Sequence, residues 1–177
     1  IGQGYNQTAP IQLCLMTAQI ANGGYKIYPK IIANDENNDQ PRDKYIQLYE
    51  NSKNIKIIQD AMFGSTNEVM GTSYRSRISN PKYQFAGKTG TAQVKKITKR
   101  DRELDLKTFE IPYEQRDHAL YIAFGPYKLP RYAVSVLVEH GGNGSTTAAP
   151  IAKKLFKLII DRHPLRQSIN NKKYLDI

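Results

Sequence analysis

Phe85-Ala86-Gly87-Lys88-Thr89-Gly90-Thr91-Ala92-Gln93-Val94 decides the fold of this sequence. Upstream of it, apolar residues recur at helical spacing; from Pro81 onward the period moves toward 2, the period of a strand. Residues 85–94 therefore read as a strand, and two more follow. In 118–124, Leu120, Ile122 and Phe124 alternate; in 132–139, Val134, Val136 and Val138 share one face. The connection from 124 to 132 opens on Gly125-Pro126 and closes on Pro130. A link this short joins neighbouring antiparallel strands.

Helices flank the strands. Thr8 is a candidate cap for a helix over 8–22, with Pro10 in a first turn where a missing N–H costs nothing. Ile11, Cys14, Leu15, Ala18 and Ala21 fall on one face, and Gly23-Gly24 ends the helix. A second helix is expected over 54–70, capped by Asn54, with Ile55, Ile58 and Met62 inward. A last helix over 146–161 carries Ile151, Leu155, Leu158 and Ile159 as a stripe, and Pro164 lies beyond it. Residues 25–32 and 45–49 read as short extended pieces. Residues 33–44 read as a polar loop, 95–117 as a charged insert of nearly balanced sign, and 165–177 as a loose tail after a body spanning 1–164. Helices, then antiparallel strands, then a helix able to cover one sheet face, is an α+β pattern.

The chain has 177 residues and a formal net charge of +10. A positive balance suggests an anionic partner. The basic residues form no focused stripe, so nucleic acid is not expected. No apolar run approaches the roughly 18 residues of a membrane span. The single cysteine, Cys14, cannot close an internal disulfide and sits on an apolar stripe, which suits packing. His118, His140 and His163 lack metal-ligand spacing, and no metal or cofactor is expected. The sequence begins at Ile1 rather than Met and reads as a piece, or a processed form, of a longer chain.

Lys88-Thr89-Gly90-Thr91 carries the chemistry. The phosphate-loop reading requires a glycine five positions before Gly87, and that position is Lys82. A lysine on a strand rim instead presents a fixed positive charge. At about 4 Å and an effective dielectric near 20 it attracts a carboxylate by roughly 4 kcal/mol before desolvation. Thr89 and Thr91 offer hydroxyls to the same anion. Gly90 lacks a Cβ, so an extended ligand can lie close to the strand. The Thr91 backbone N–H is a candidate donor to a tetrahedral oxyanion, a role worth about 2.7–4 kcal/mol in rate where measured.

These residues and their flanks resemble the C-terminal part of the transpeptidase domain of class B penicillin-binding proteins, nearest to the penicillin-binding protein 2 subgroup of elongation and cell shape. Ile1-Gly2-Gln3-Gly4-Tyr5 with Thr8, Pro10 and Gln12 is similar to the family's GQG and TP.Q segments, and Asn22-Gly23-Gly24 follows in order. Gly87 to Val94 resembles the third-strand signature. Arg116-Asp117-His118-Ala119, Phe124-Gly125-Pro126-Tyr127 and Val138-Glu139-His140-Gly141-Gly142 resemble the two strands after it and the loop beyond. The resemblance implies part of the penicillin-binding and beta-lactamase-like fold, with this chain supplying strands three to five of a five-stranded antiparallel sheet and the closing helix. It implies D,D-transpeptidation of peptidoglycan stem peptides through an acyl-serine, inhibited by beta-lactams. It implies elongation-complex membrane proteins as partners, and a domain at the periplasmic face of the bacterial inner membrane, anchored by an N-terminal helix. Lys88, Thr89, Gly90 and Thr91 would bind substrate. Alternatives are the division-specific class B enzyme and a beta-lactam sensor or non-catalytic binding module of the same fold.

The family also needs S-x-x-K for its nucleophile and S-x-N upstream of K-T-G. Ser79-Asn80-Pro81-Lys82 matches the first by letter, but it lies six positions before Lys88 and contains a proline. Ser52-Lys53-Asn54 and Ser65-Thr66-Asn67 match the second by letter, but follow the GQG segment, where the family motif precedes it. The expectation is a chain inactive alone, with no catalytic side chain of its own. The strand over 132–139 would normally pair with an absent first strand, so a dimer or a strand swap is expected at that edge.

Overall fold

The structure is a computed structural model that describes residues 7–29, 31, 46–95, 103 and 106–162. The expected polar loop at 33–44 and the tail at 165–177 lie outside the described residues, as does part of the charged insert. Three long helices, α1 (Pro10–Ala21), α2 (Ser52–Asn67) and α3 (Ala149–Arg162), surround an antiparallel sheet. Its strands are β1 (Ala86–Ala92), β2 (His118–Gly125) and β3 (Tyr132–Val138), in the order β1-β2-β3.

The register places Ala86 opposite Phe124, Lys88 opposite Ile122 and Ala92 opposite His118. On β3, Val138 faces Ala119 and Tyr132 faces Gly125. The alternation seen in the sequence becomes two cores, one on each face. Ala119, Tyr121, Ala123 and Val136 pack with Phe85 against Ala152, Phe156 and Ile160 of α3. Ala86 and Phe124 pack against Ile20 of α1 and Met62 of α2. Phe85 and Phe156 stack at 4.9 Å between ring centroids. Burying a side chain of this size contributes about 1.5–3 kcal/mol. Both sheet faces are therefore covered, where the sequence argued for one.

Several boundaries move, each for a local reason. Thr8 does not cap α1. Ala9 stands at that position, and its N–H donates to the Gln12 side chain at 2.8 Å. The second helix starts at Ser52, not Asn54. Asn51 caps it by accepting the Lys53 N–H at 3.0 Å, while the Asn54 N–H bonds the Asn51 carbonyl inside the first turn. That helix ends at Asn67, short of Met70, because the chain folds back: the Gly71 N–H bonds Glu68 O at 2.9 Å. A Cβ on Gly71 would lie 2.4 Å from the Ser65 carbonyl, so only glycine fits the reversal.

β1 stops at Ala92 rather than Val94 since its partner strand begins at His118, and the Asp117 carboxylate takes the Val94 N–H at 3.3 Å instead. The piece expected as a strand near 45–49 forms one bridge, Tyr25 to Gln47. The last helix is entered through a wide turn, Gly144–Ala148, capped by the Asn143 side chain on the Ser145 N–H at 2.8 Å. Gly23 and Gly24 do end α1, at φ +92° and +95°, and the Gly24 N–H reaches back to Gln19 O at 2.8 Å.

Candidate functional site

β1 pairs with β2 along one edge only. In a strand, successive residues turn their N–H and C=O to opposite edges. The Phe85 carbonyl accepts from Asn67 Nδ2 at 2.9 Å and the Gly87 carbonyl from Thr66 Oγ1 at 3.4 Å. Both donors belong to α2, which lies beside the start of β1 on the edge away from β2. Two residues on, the Thr89 carbonyl accepts from Lys88 Nζ at 2.9 Å. Odd-numbered residues thus address the edge that β2 does not use, and the same parity puts the Thr91 N–H there.

The side chains sort with equal regularity. Lys88 is exposed. Its ammonium curls over its neighbour, donating to Thr89 Oγ1 at 3.1 Å as well as to the Thr89 carbonyl. A line of hydroxyls continues from there: Thr89 Oγ1 to Thr72 Oγ1 at 3.4 Å, and Thr72 Oγ1 to Ser65 Oγ at 3.1 Å. A Cβ built on Gly90 would meet only Leu120 Cβ, at 3.3 Å, among the described residues. The space beside Gly90 on the Lys88 face is therefore open. The arrangement offers a cation, hydroxyls and edge N–H groups in one short run. Those are the groups an extended chain ending in a carboxylate requires.

A buried hydroxyl cluster anchors this strand. Tyr121 Oη lies 2.9 Å from Thr66 Oγ1 and 3.0 Å from Ser73 Oγ. Ser73 Oγ donates in turn to the Ser65 carbonyl at 3.0 Å. Burial pushes the Tyr121 phenol above its ordinary range, against the lowering effect of its two hydroxyl partners. Gly87 makes the cluster possible, since a Cβ there would lie 2.4 Å from Tyr121 Oη. Sequence reasoning set Ser65-Thr66-Asn67 aside as a letter match that follows the GQG segment, where the family motif precedes it. All three nonetheless reach the β1 side: Ser65 through Thr72, Thr66 at Gly87 and Asn67 at Phe85. Nothing in the sequence marked Thr72 and Ser73 as neighbours of the β1 site.

The model of the penicillin-binding protein transpeptidase domain matches residues 1–157. The chain belongs to the penicillin-binding protein transpeptidase family. Among relatives of this transpeptidase chain is peptidoglycan D,D-transpeptidase MrdA of Salmonella typhimurium, 34% identical over 167 residues, covering 91% of the chain and 26% of the relative. MrdA of Escherichia coli is 30% identical over 91% of the chain and 25% of the relative. The transpeptidase chain thus spans about a quarter of the length of these relatives. Solved structures agree. A penicillin-binding protein (PBP2) in complex with MreC from Helicobacter pylori is 31% identical, with a TM-score of 0.71 over 91% of this chain and 26% of that one. PBP2 of Pseudomonas aeruginosa is 30% identical, with a TM-score of 0.65 over 92% and 33%.

Proposed function

We propose that this chain is the substrate-binding part of a peptidoglycan D,D-transpeptidase of the elongation type. The observation that carries the reading is the edge of β1. Exposed Lys88, the Thr89 hydroxyl it touches and the Thr91 N–H stand on a strand whose outer edge β2 leaves open. In the reaction, a serine attacks the carbonyl between the two terminal D-alanines of a stem peptide, and the terminal D-alanine leaves as the amine. The acyl-serine then passes to an amine of a neighbouring stem. Lys88 supplies the positive field for the terminal carboxylate, Thr89 and Thr91 bind it, Gly90 lets the peptide lie close, and the Thr91 N–H stabilises the oxyanion. Beta-lactams present the same carboxylate and carbonyl.

The serine comes from outside this sequence. No serine of the described residues pairs with a lysine in the order the family requires, and the relatives are about four times longer. Elongation is favoured over division by relatives bearing the name MrdA. The Helicobacter pylori PBP2 is seen in complex with MreC, and elongation-complex membrane partners and a position at the periplasmic face of the inner membrane, both implied by the family resemblance, belong to the same proposal. Intact-mass measurement of the 177-residue chain after a beta-lactam tests it, with no stable adduct expected. An adduct on any serine would place the nucleophile inside the chain and overturn this assignment. In a longer protein that acylates, Lys88→Ala is expected to slow acylation about 10²- to 10³-fold, the range for losing one charge-stabilising donor.

A further inference from the structure

His118 and His140 meet just past the end of β1, and the function proposed above uses neither. Their ring centroids are 4.8 Å apart at 69°. The His140 backbone N–H donates to His118 Nδ1 at 2.9 Å. A backbone N–H only donates, so His118 Nδ1 must keep its lone pair, and the proton of the neutral ring sits on Nε2. His140 Nδ1 lies 3.1 Å from the Arg116 carbonyl, which only accepts, so that nitrogen carries a proton. The two rings therefore respond differently to acid. His140 takes a second proton at Nε2 and keeps its bond. His118 takes a second proton at Nδ1 and turns a donor against a donor.

Among the described residues, no carboxylate is hydrogen-bonded to either ring. The Asp117 carboxylate accepts the Val94 N–H at 3.3 Å. The Arg116 guanidinium lies over the Tyr113 ring, whose centroid is 5.1 Å from that of His140, and Arg116 Nε donates to the Ile111 carbonyl at 2.8 Å. Lys95 Nζ on the β1 side donates to Gln115 at 3.2 Å, beside Glu114, and Glu139 precedes His140 on the β3 side.

The bond has a consequence for β1. His140 sits at φ +53° and opens the turn that ends at Gly144. The Gly142 N–H bonds the Asp117 carbonyl at 2.8 Å. Gly144 rests on the sheet so closely that a Cβ there would lie 2.4 Å from the Leu120 carbonyl and 2.7 Å from the Gly90 carbonyl. The turn is thus held at one end by His118 and pressed at the other onto the substrate strand.

We propose that His118 is a positioning residue that helps hold the 140–144 turn against Gly90, and that it does so only while its imidazole is neutral. The strand is then set while the ring is neutral and loosened once the ring is protonated. The link to substrate rests on the function proposed above; the coupling itself does not. It is tested on the 15N-labelled chain by following the His140, Gly90 and Thr91 amides and the His118 ring proton between about pH 8 and 5. All four are expected to share one midpoint. His118→Asn offers an amide oxygen near the Nδ1 position and does not titrate. It should keep the neutral-pH amide positions and flatten their pH dependence. His118→Ala should show acid-like positions already at pH 8. A His140 amide that ignores the His118 ring, or a Gly90 titration that persists in His118→Asn, would overturn the proposal. Wild-type and His118→Asn decide the matter even if His118→Ala does not fold. A failed acylation assay in a longer protein that carries the upstream serine, with a positive titration, would sink the enzymatic reading alone.

Discussion

Tyr121 shows how one side chain sets β1. It is fully buried, and its hydroxyl joins α2 through Thr66 to the turn through Ser73. Tyr121→Phe removes that hydroxyl, yet Thr66 Oγ1 keeps the Met62 carbonyl at 3.3 Å and Ser73 Oγ keeps the Ser65 carbonyl. No polar atom is orphaned, so the expected loss is that of a net hydrogen bond, about 0.5–1.5 kcal/mol, rather than the larger cost of an unsatisfied group. Chemical denaturation at pH 7 measures it. The phenol is raised by burial, so folding favours its neutral form. That contribution is complete below the unfolded phenol value near about 10 and is lost as pH rises through the folded value. The stability gap between wild type and Tyr121→Phe should therefore narrow above pH 10. A gap independent of pH between 8 and 11 would refute the assignment. Gly87→Ala tests the same contact from the other side. Its Cβ would overlap the Tyr121 ring, and an overpacking loss of about 1–3 kcal/mol is expected.

At the scale of elements, β2 and β3 were legible because Leu120, Ile122 and Phe124, and Val134, Val136 and Val138, alternate without interruption. β1 was legible through its Lys88 to Thr91 signature. The start of α2 was not, since Asn51 and Asn54 are both good caps and the apolar stripe from Ile55 fits either. The structure decides by the bond from Lys53 N–H to Asn51 Oδ1 at 3.0 Å. Asn51→Ala is accordingly expected to cost about 1 kcal/mol, and Asn54→Ala, inside the first turn, less than about 0.5 kcal/mol. Thermal unfolding of the two variants separates them, and the reverse ranking would restore Asn54 as the cap. The hydroxyl line and the histidine pair escaped the sequence for a different reason. Thr72 to Thr89 spans 17 positions and His140 to His118 spans 22, and no periodicity encodes contacts that the sheet register creates.

For the whole molecule, the two outer edges of the sheet differ in what lies beside them. The outer edge of β1 receives side chains of α2 at Phe85 and Gly87 and the Lys88 ammonium at Thr89. The outer edge of β3 has no strand beside it among the described residues. α1 packs near it, with the Cys14 thiol 3.4 Å from the Ala133 carbonyl, while Leu137 stays 39% exposed. A strand edge bearing Val, Leu and Val and no charge between Tyr132 and Val138 is a template for pairing with another strand. A second copy of this chain carries the same edge, and two such edges can pair antiparallel about a two-fold axis. The chain is therefore expected to self-associate with rising concentration in sedimentation or light scattering. Leu137→Lys places a charge on that strand at a half-exposed site, and it should move the equilibrium toward monomer while leaving the two cores intact. A wild-type chain that stays monomeric across the concentration range, or an association that Leu137→Lys does not weaken, would show that β3 is not the pairing edge.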